Sequence, residues 1–196
     1  MKQIISAFIA CFFVLSSYCQ EKKPPIIDMH IHAHSIEEFK QRLPNISYSR
    51  TQAEFESQMM AELEKYNIIA YASGPHDVVR KWQILNPKRI KPGILAFHPN
   101  QMNVDSLRTW YHEGSLDVIG EIGLQYMGLT PDDPEMEPIW KIAEELDIPL
   151  AIHMGIGPPD AAYGPYPKFR ARYGKPLLLE DILARYPTVR VYVMHA

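Results

Sequence analysis

Six short apolar runs alternate along the chain with segments of helical periodicity. The runs are apolar at nearly every position, which indicates strands buried on both faces, as in a parallel sheet. We predict strands at residues 26–32, 67–73, 90–98, 117–124, 149–154 and 189–195. Strands that alternate with helices in this way are typical of βα units.

The segments between the strands carry helix start signals. Thr51 and Glu54 have the spacing of a capping box ahead of an apolar helical face,. Asp133 and Pro134 place a cap residue before a first-turn proline,. We predict helices that follow these two signals, and further helices at residues 77–85, 103–112 and 177–186.

The first 19 residues have the pattern of a secretory signal peptide. Lys2 precedes an apolar stretch over residues 4–15, and small or polar residues lead to Cys19. The apolar stretch is shorter than the roughly 20 residues that a permanent membrane span needs. We predict cleavage after Cys19, a mature barrel domain over residues 20–196, and export to the periplasm or the medium. Lipid anchoring through Cys19 is the alternative, but the bulky Tyr18 argues against it.

Composition limits the chemistry of the mature chain. Cys11 and Cys19 are the two cysteines and both lie in the leader, so the mature domain has neither a disulfide nor a thiolate ligand. Any metal must be held by nitrogen and oxygen. The net charge of −3 is spread without runs, which gives no electrostatic reason to expect nucleic acid. The expected partner is a small-molecule substrate, and the oligomeric state stays open.

Polar side chains end several of the apolar runs. His30 and His32 are two residues apart on one strand, so both project to the same face and can meet one cation. Glu121 lies within an apolar strand, where a carboxylate is costly unless it is paired, capped by backbone amides or bound to a cation. His153 and His195 close two further strands. A single strand-end histidine is usually a core residue, but candidates at four strand ends predict one divalent-metal site.

The position of these candidates also bears on the fold class. The fold alternatives are a (β/α)₈ TIM-type barrel with about six of its eight βα units, and a complete doubly wound sheet. An open sheet gathers ligands at one switch point, whereas the strand ends of a barrel all converge on one face. Candidate ligands that end the first, fourth, fifth and sixth strands therefore favour the incomplete barrel.

Four motifs make the chain similar to a known superfamily over residues 26–196. They are Asp28-Met-His30-Ile-His32, Gly120-Glu121-Ile-Gly123-Leu, Pro149-Leu-Ala-Ile-His153-Met-Gly155, and Leu177-Leu-Leu-Glu180-Asp181 followed by Val193-Met-His195-Ala196. The chain resembles the amidohydrolase superfamily, and within it the amidohydrolase-related metal-dependent hydrolases.

The resemblance implies a barrel that holds one or two divalent ions, with zinc as the expected metal. His30 and His32 would hold one ion, Glu121 would bridge to a second, and His153 and His195 would bind metal or substrate. The implied reaction is attack of a metal-activated water on an amide, ester or lactone carbonyl. Some relatives decarboxylate acids with the same ligands, and a bridging carboxylate favours hydrolysis over that alternative.

The resemblance also implies an aspartate on an eighth strand as the general base. We expect that residue beyond Ala196, which makes the chain a C-terminally truncated fragment and leaves its catalytic base unknown. The 196-residue chain itself would then be inactive, or an inactive remnant that still binds metal.

A long loop follows the strand that ends at His153. It contains Arg170 and Arg172, and loops at this face of a barrel build substrate pockets. The two arginines are candidates for binding an acidic substrate group. The alternative is an ordinary solvated basic loop.

Overall fold

Six parallel strands alternate with helices in the computed structural model, which describes residues 24–42 and 51–195. The strands are β1 (Ile26–His32), β2 (Ile68–Ser73), β3 (Ile90–Pro92), β4 (Ile119–Ile122), β5 (Leu150–His153) and β6 (Val191–Met194). The helices are α1 (Ile36–Arg42), α2 (Gln52–Lys65), α3 (His76–Leu85), α4 (Val104–His112), α5 (Glu137–Leu146) and α6 (Glu180–Arg185). The predicted signal peptide lies outside the described residues.

The strands follow one another in sequence order across the sheet. Strands β1, β2 and β3 form one ladder and strands β4, β5 and β6 form another, all of them parallel. The two ladders meet where Ala96 bridges Ile122, and the Ala96 N–H donates to the Glu121 carbonyl at 2.9 Å. The chain therefore has the architecture of an incomplete (β/α)₈ barrel, as predicted, with six described strands and a helix after each of the first five.

The third strand is much shorter than predicted. We expected it over residues 90–98, but its regular part is only Ile90–Pro92. Pro92 has no N–H to donate to a ladder, and beyond it the backbone bonds alternately to both neighbours. The Gly93 N–H donates to Ala72 at 2.8 Å, and the Ile94 N–H donates to Gly120 at 3.1 Å. This segment therefore joins the two ladders instead of extending one of them.

Two helix starts have the chemistry that the sequence predicts. Thr51 and Glu54 form a reciprocal capping box at the start of α2. Asp133 accepts a hydrogen bond from the Glu135 N–H at 3.1 Å, although a 3₁₀ turn at Pro134–Met136 precedes α5. The helix predicted over residues 177–186 begins later, at Glu180, after another 3₁₀ turn. Helix α1 was not predicted.

The core lies between the sheet and the helices. Ala70 and Ala72 on β2 leave room for Trp82 of α3, while Ile152 of β5 packs in the same cluster as Trp140 of α5. The opposite face of the strands fills the interior of the barrel. Its side chains form a separate small cluster: Val118, Ala151, Met194, Tyr71 and Tyr192. Both faces of the sheet are therefore covered, in agreement with the apolar character of the strands.

Within the described residues, no helix has the length and apolar character that crossing a membrane requires.

Candidate metal centre

The first strand presents two imidazoles to one carboxylate. The Nε2 atoms of His30 and His32 lie 3.7 and 3.3 Å from Oε2 of Glu121. The pairing of β1 with β2 is irregular between Asp28 and Ile31, and the His30 N–H donates to Oδ1 of Asp28 at 3.0 Å. Asp28 therefore holds the backbone at the point where the strand delivers both histidines to the site.

Glu121 is the centre of the site and is only 4% exposed. Its position depends on an irregularity in β4: Ile119 and Ile122 both pack on the helix side, although they are three residues apart. Gly120 between them has a φ of +139°, and a Cβ there would lie 2.7 Å from that of Ala151. Only glycine fits this backbone, and the irregular strand turns Glu121 towards the barrel interior.

Ser73, at the end of β2, holds this irregular segment of β4. Its hydroxyl donates to the Gly120 carbonyl at 2.9 Å and accepts from the Glu121 N–H at 3.0 Å. Ser73 was not among the residues predicted from the sequence. The available signal was a polar residue at the end of an apolar strand, the same signal that pointed to the histidines.

The last two strands bring two more imidazoles to the other oxygen of Glu121. Nδ1 of His153 makes a short hydrogen bond with Oε1, and Nε2 of His195 lies 3.6 Å from the same atom. His195 follows Met194, whose side chain fills the barrel interior, so simple alternation would place His195 on the helix side. Its backbone is left-handed, with a φ of +63°, and this conformation returns its ring to the site.

Burial and the imidazoles oppose each other in setting the charge of the site. Burial raises the pKa of Glu121, but the hydrogen bond from His153 and the nearby His30 and His32 rings outweigh it, so the pKa is lowered overall. Burial also lowers the pKa of His30 against the attraction of Glu121. An ionised carboxylate beside a neutral imidazole is the state in which both groups can bind a metal.

The predicted ligands His30, His32, Glu121, His153 and His195 therefore converge on one place. Ligand atoms of His30, Glu121 and His195 lie within 4.8 Å of one another. In the described part of the chain, the ion-pair partners of Glu121 are these four histidines. Nitrogen and carboxylate oxygen donors of this kind suit a divalent transition metal, and the donor set fits the ion that the sequence predicts.

A cavity of about 190 Å³ adjoins the site. Four of its lining residues are polar: His32, Glu121, His153 and His195. The other five are apolar or aromatic: Leu95, Phe97, Tyr126, Pro158 and Tyr166. The aromatic residues were not identified from the sequence, because their spacing in the chain carries no sign that they share a wall. The lining of the cavity therefore combines ionisable groups with aromatic rings, as ligand sites commonly do.

Arg170 and Arg172 are exposed and are not among the described residues that line this cavity. The Arg170 guanidinium donates to the carbonyls of Pro167 and Phe169, at 3.0 and 2.6 Å. That of Arg172 donates to the hydroxyl of Tyr173 at 3.1 Å. Their role in substrate binding stays a prediction.

Comparison with known proteins supports this architecture. The sequence matches the family described as "Amidohydrolase" over residues 27–196. A search of curated proteins finds no match.

Solved structures with a similar fold include two 5-carboxyvanillate decarboxylases. The one from Novosphingobium aromaticivorans, which has bound manganese, has a TM-score of 0.59 at 14% identity, over 88% of this chain and 66% of that one. The one from Sphingomonas paucimobilis has a TM-score of 0.54 at 14% identity, over 86% of this chain and 67% of that one.

A third similar structure is a probable 2-pyrone-4,6-dicarboxylic acid hydrolase from Acinetobacter baumannii. It has a TM-score of 0.51 at 14% identity, over 86% of this chain and 57% of that one. The chain thus spans about two thirds of the length of these structures or less. At these identities the likeness concerns the fold, and it includes proteins named for two different reactions.

Proposed function

This chain belongs to the amidohydrolase family, and on that basis we propose that it is a metal-dependent hydrolase acting on an amide, ester or lactone carbonyl. The observation that carries the proposal is that each carboxylate oxygen of Glu121 faces two histidines. Oε2 faces His30 and His32, whereas Oε1 faces His153 and His195. A carboxylate with imidazoles at both oxygens is suited to bridge two divalent ions.

The residues that would hold one or two divalent ions are Glu121 and the four histidines around it, and ligand atoms of His30, Glu121 and His195 lie within 4.8 Å of one another. A bound divalent ion supplies a water whose pKa is lowered to about 7 and polarises the substrate carbonyl. Zinc is the metal expected from the donor atoms. Manganese is an equal choice for the first experiments, because the Novosphingobium aromaticivorans decarboxylase carries it.

The protein's own groups prepare the site in two ways. The buried Glu121 keeps its negative charge because its pKa is lowered, so it can hold cations at the end of the cavity. Phe97, Tyr126 and Tyr166 add aromatic rings to the lining of the cavity, and a less polar lining strengthens electrostatic interactions inside. The cavity is smaller than a typical drug-sized pocket, so we propose that it receives the reacting group of a small substrate.

A metal-dependent carboxy-lyase is the second candidate. The aromatic wall formed by Phe97, Tyr126 and Tyr166 is suited to a flat unsaturated acid. Two of the similar structures are named as decarboxylases of such an acid. Glu121 with histidines at both oxygens favours hydrolysis, and the aromatic wall favours decarboxylation.

The test begins with metal binding. We expect the metal-free chain to take up Zn²⁺ or Mn²⁺, and the double variant His30→Ala, His32→Ala to lose stoichiometric uptake in equilibrium dialysis. His112→Ala removes an exposed histidine at the end of α4 and serves as the control that keeps full uptake. Equal metal content in the double variant and in the wild type would refute this site.

Turnover then separates the candidate reactions. The loaded protein is assayed against a panel of esters, amides and lactones, and in parallel for release of carbon dioxide from aromatic and unsaturated acids. Hydrolysis in the first panel supports the proposed function, and carbon dioxide in the second supports the carboxy-lyase. Metal uptake without turnover in either panel would indicate a metal-binding protein that is not an enzyme.

We also propose that the protein is exported and processed after Cys19. The leader sequence supports this proposal through its charged start, its apolar stretch and its small residues,. The mass of the protein recovered from its native compartment should correspond to a chain that starts at Gln20. A mass that includes the first 19 residues would refute processing at this site.

A further inference from the structure

Tyr126 lies directly behind one of the proposed ligands. It belongs to a 3₁₀ turn, Leu124–Met127, that follows β4, and it is 7% exposed. Its hydroxyl lies 2.9 Å from Nε2 of His153, in a fully buried hydrogen bond. In the proposed function Tyr126 contributes only its ring to the lining of the cavity, which does not account for this hydrogen bond.

The two nitrogens of His153 face different partners. Nδ1 points to Oε1 of Glu121, which is the side where a metal ion would be held. A neutral imidazole carries one proton, so a free lone pair at Nδ1 requires the hydrogen at Nε2. In that tautomer the Nε2 hydrogen points to the Tyr126 hydroxyl oxygen, which can accept it. Without a metal, the bond to Oε1 places the hydrogen on Nδ1, and the Tyr126 hydroxyl donates to Nε2 instead. Metal-binding histidines generally need such a partner for the second nitrogen.

Several aromatic rings hold the Tyr126 ring in place. Phe97 packs edge-on at a centroid distance of 5.5 Å, Tyr166 lies at 4.6 Å, and Phe169 stacks at 5.5 Å. The hydroxyl is therefore presented to His153 by a packed ring rather than by a mobile side chain. A phenylalanine at position 126 would keep the packing and remove only the hydrogen-bonding oxygen.

We infer that Tyr126 is the positioning residue of His153: with a metal bound, its hydroxyl oxygen would accept the Nε2 hydrogen, which leaves the Nδ1 lone pair for an ion held beside Glu121. The inference rests on the proposed metal site and adds to it a residue that does not touch the metal. Tyr126 thereby links the aromatic wall of the cavity to the ligand set, because one ring belongs to both.

A double-mutant cycle on Mn²⁺ affinity tests the inference. The dissociation constant is measured by electron paramagnetic resonance titration for the full-length wild type, Tyr126→Phe, His153→Ala and the combined variant. We expect Tyr126→Phe to weaken binding about 10- to 100-fold, the usual effect of losing such a partner. In the His153→Ala background the same change should have no further effect, because the residue that it positions is absent.

Tyr186→Phe is the matched control, since it removes a hydroxyl from a buried ring that is not among the described residues lining the cavity, and it should leave Mn²⁺ affinity unchanged. Thermal unfolding of each metal-free variant shows whether the fold is kept. An unchanged affinity in Tyr126→Phe overturns the inference. An equal loss in both His153 backgrounds also overturns it, because that result indicates a general structural effect.

The failure of the inference and the failure of the proposed function give different results. A wild-type chain that binds no Mn²⁺ refutes the metal site, and the role of Tyr126 falls with it. A wild-type chain that binds Mn²⁺ as tightly as Tyr126→Phe keeps the site and refutes only the role of Tyr126.

Discussion

At the scale of single residues, the position and the charge of Glu121 depend on a small number of specific contacts. Its carboxylate is surrounded by histidines, while its backbone N–H is held by the hydroxyl of Ser73. Ser73 is itself 1% exposed. Hydrogen bonds in such a dry environment matter chiefly because an unmade bond leaves a buried group without a partner.

Ser73→Ala should therefore destabilise the protein. The change leaves the Glu121 N–H and the Gly120 carbonyl without the hydroxyl, and a buried unpaired donor costs about 1–3 kcal/mol. The free energy of unfolding in urea measures the effect. Ser57→Ala, at an exposed position of α2, is the control and should change stability by less than about 0.5 kcal/mol. Equal stabilities for the two variants would contradict the bracing role of Ser73.

At the scale of elements, β1 shows how one side chain sets the course of a strand. Oδ1 of Asp28 accepts the His30 N–H at the point where the pairing with β2 becomes irregular. The two histidines then reach the same oxygen of Glu121. The shape of this strand, and not only its sequence spacing, delivers the ligands.

Asp28→Ala should weaken Mn²⁺ binding about fivefold, which corresponds to the loss of one hydrogen bond worth about 1 kcal/mol. Asp28→Asn keeps an oxygen that can accept the His30 N–H, so it should bind Mn²⁺ nearly as well as the wild type. Isothermal titration calorimetry distinguishes the two variants. A loss of the same size in both would mean that the negative charge matters, and not the hydrogen bond.

Helices α3 and α4 are joined by a stacked pair of rings. His76 lies on Trp110 with a centroid distance of 3.8 Å and an interplanar angle of 10°, and its Nε2 lies 3.2 Å from the Ser115 hydroxyl. Burial lowers the pKa of His76 from its ordinary value of 6.5. Protonation is therefore less favourable in the folded chain than in the unfolded chain.

This lowered pKa predicts a pH dependence of stability. Above pH 6.5 His76 is neutral in both states and its contribution is complete. As the pH falls below 6.5 the unfolded state binds more protons, so the free energy of unfolding declines until the folded pKa is passed. Urea unfolding between pH 8 and pH 5 should show a steeper decline for the wild type than for His76→Phe. Parallel curves for the two proteins would contradict this contribution.

At the scale of the whole molecule, the described sheet has two outer strands. Strand β1 pairs with β2 and strand β6 pairs with β5, which leaves one side of each strand without a ladder among the described residues. Ile26 and Ile27 on β1 are 57% and 50% exposed. An exposed apolar strand at the edge of a sheet favours association with other chains.

The chain should therefore associate as its concentration rises, and Ile27→Lys should reduce that association, because a charged side chain on an edge strand opposes pairing. Sedimentation velocity over a concentration series measures the effect. Ile84→Lys is the control, since Ile84 is 66% exposed but lies on helix α3. Association that persists unchanged in Ile27→Lys would exclude this edge as its cause.

The order of strands and helices could be predicted from the sequence, because burial on both faces requires continuous apolar runs and helix starts need particular cap residues. The convergence of the five candidate ligands could also be predicted, since strand ends converge in a barrel; that they bind metal stays a prediction. The boundaries of β3 and the presence of helix α1 could not be predicted from the sequence. They depend on Pro92, on backbone bonds to two neighbours and on packing between distant segments.

The sequence by itself therefore determined the class of fold, the family and the five residues that converge at the candidate site, because these follow from local patterns and from motifs within single strands. Only the tertiary structure decided which histidines face each carboxylate oxygen of Glu121 and that the Ser73 hydroxyl holds the Glu121 backbone. It also showed that the left-handed backbone at His195 returns that ring to the site and that Tyr126 supports His153. The physical reason is that hydrogen bonds between residues distant in the chain depend on strand irregularities and ring packing, which local patterns do not encode.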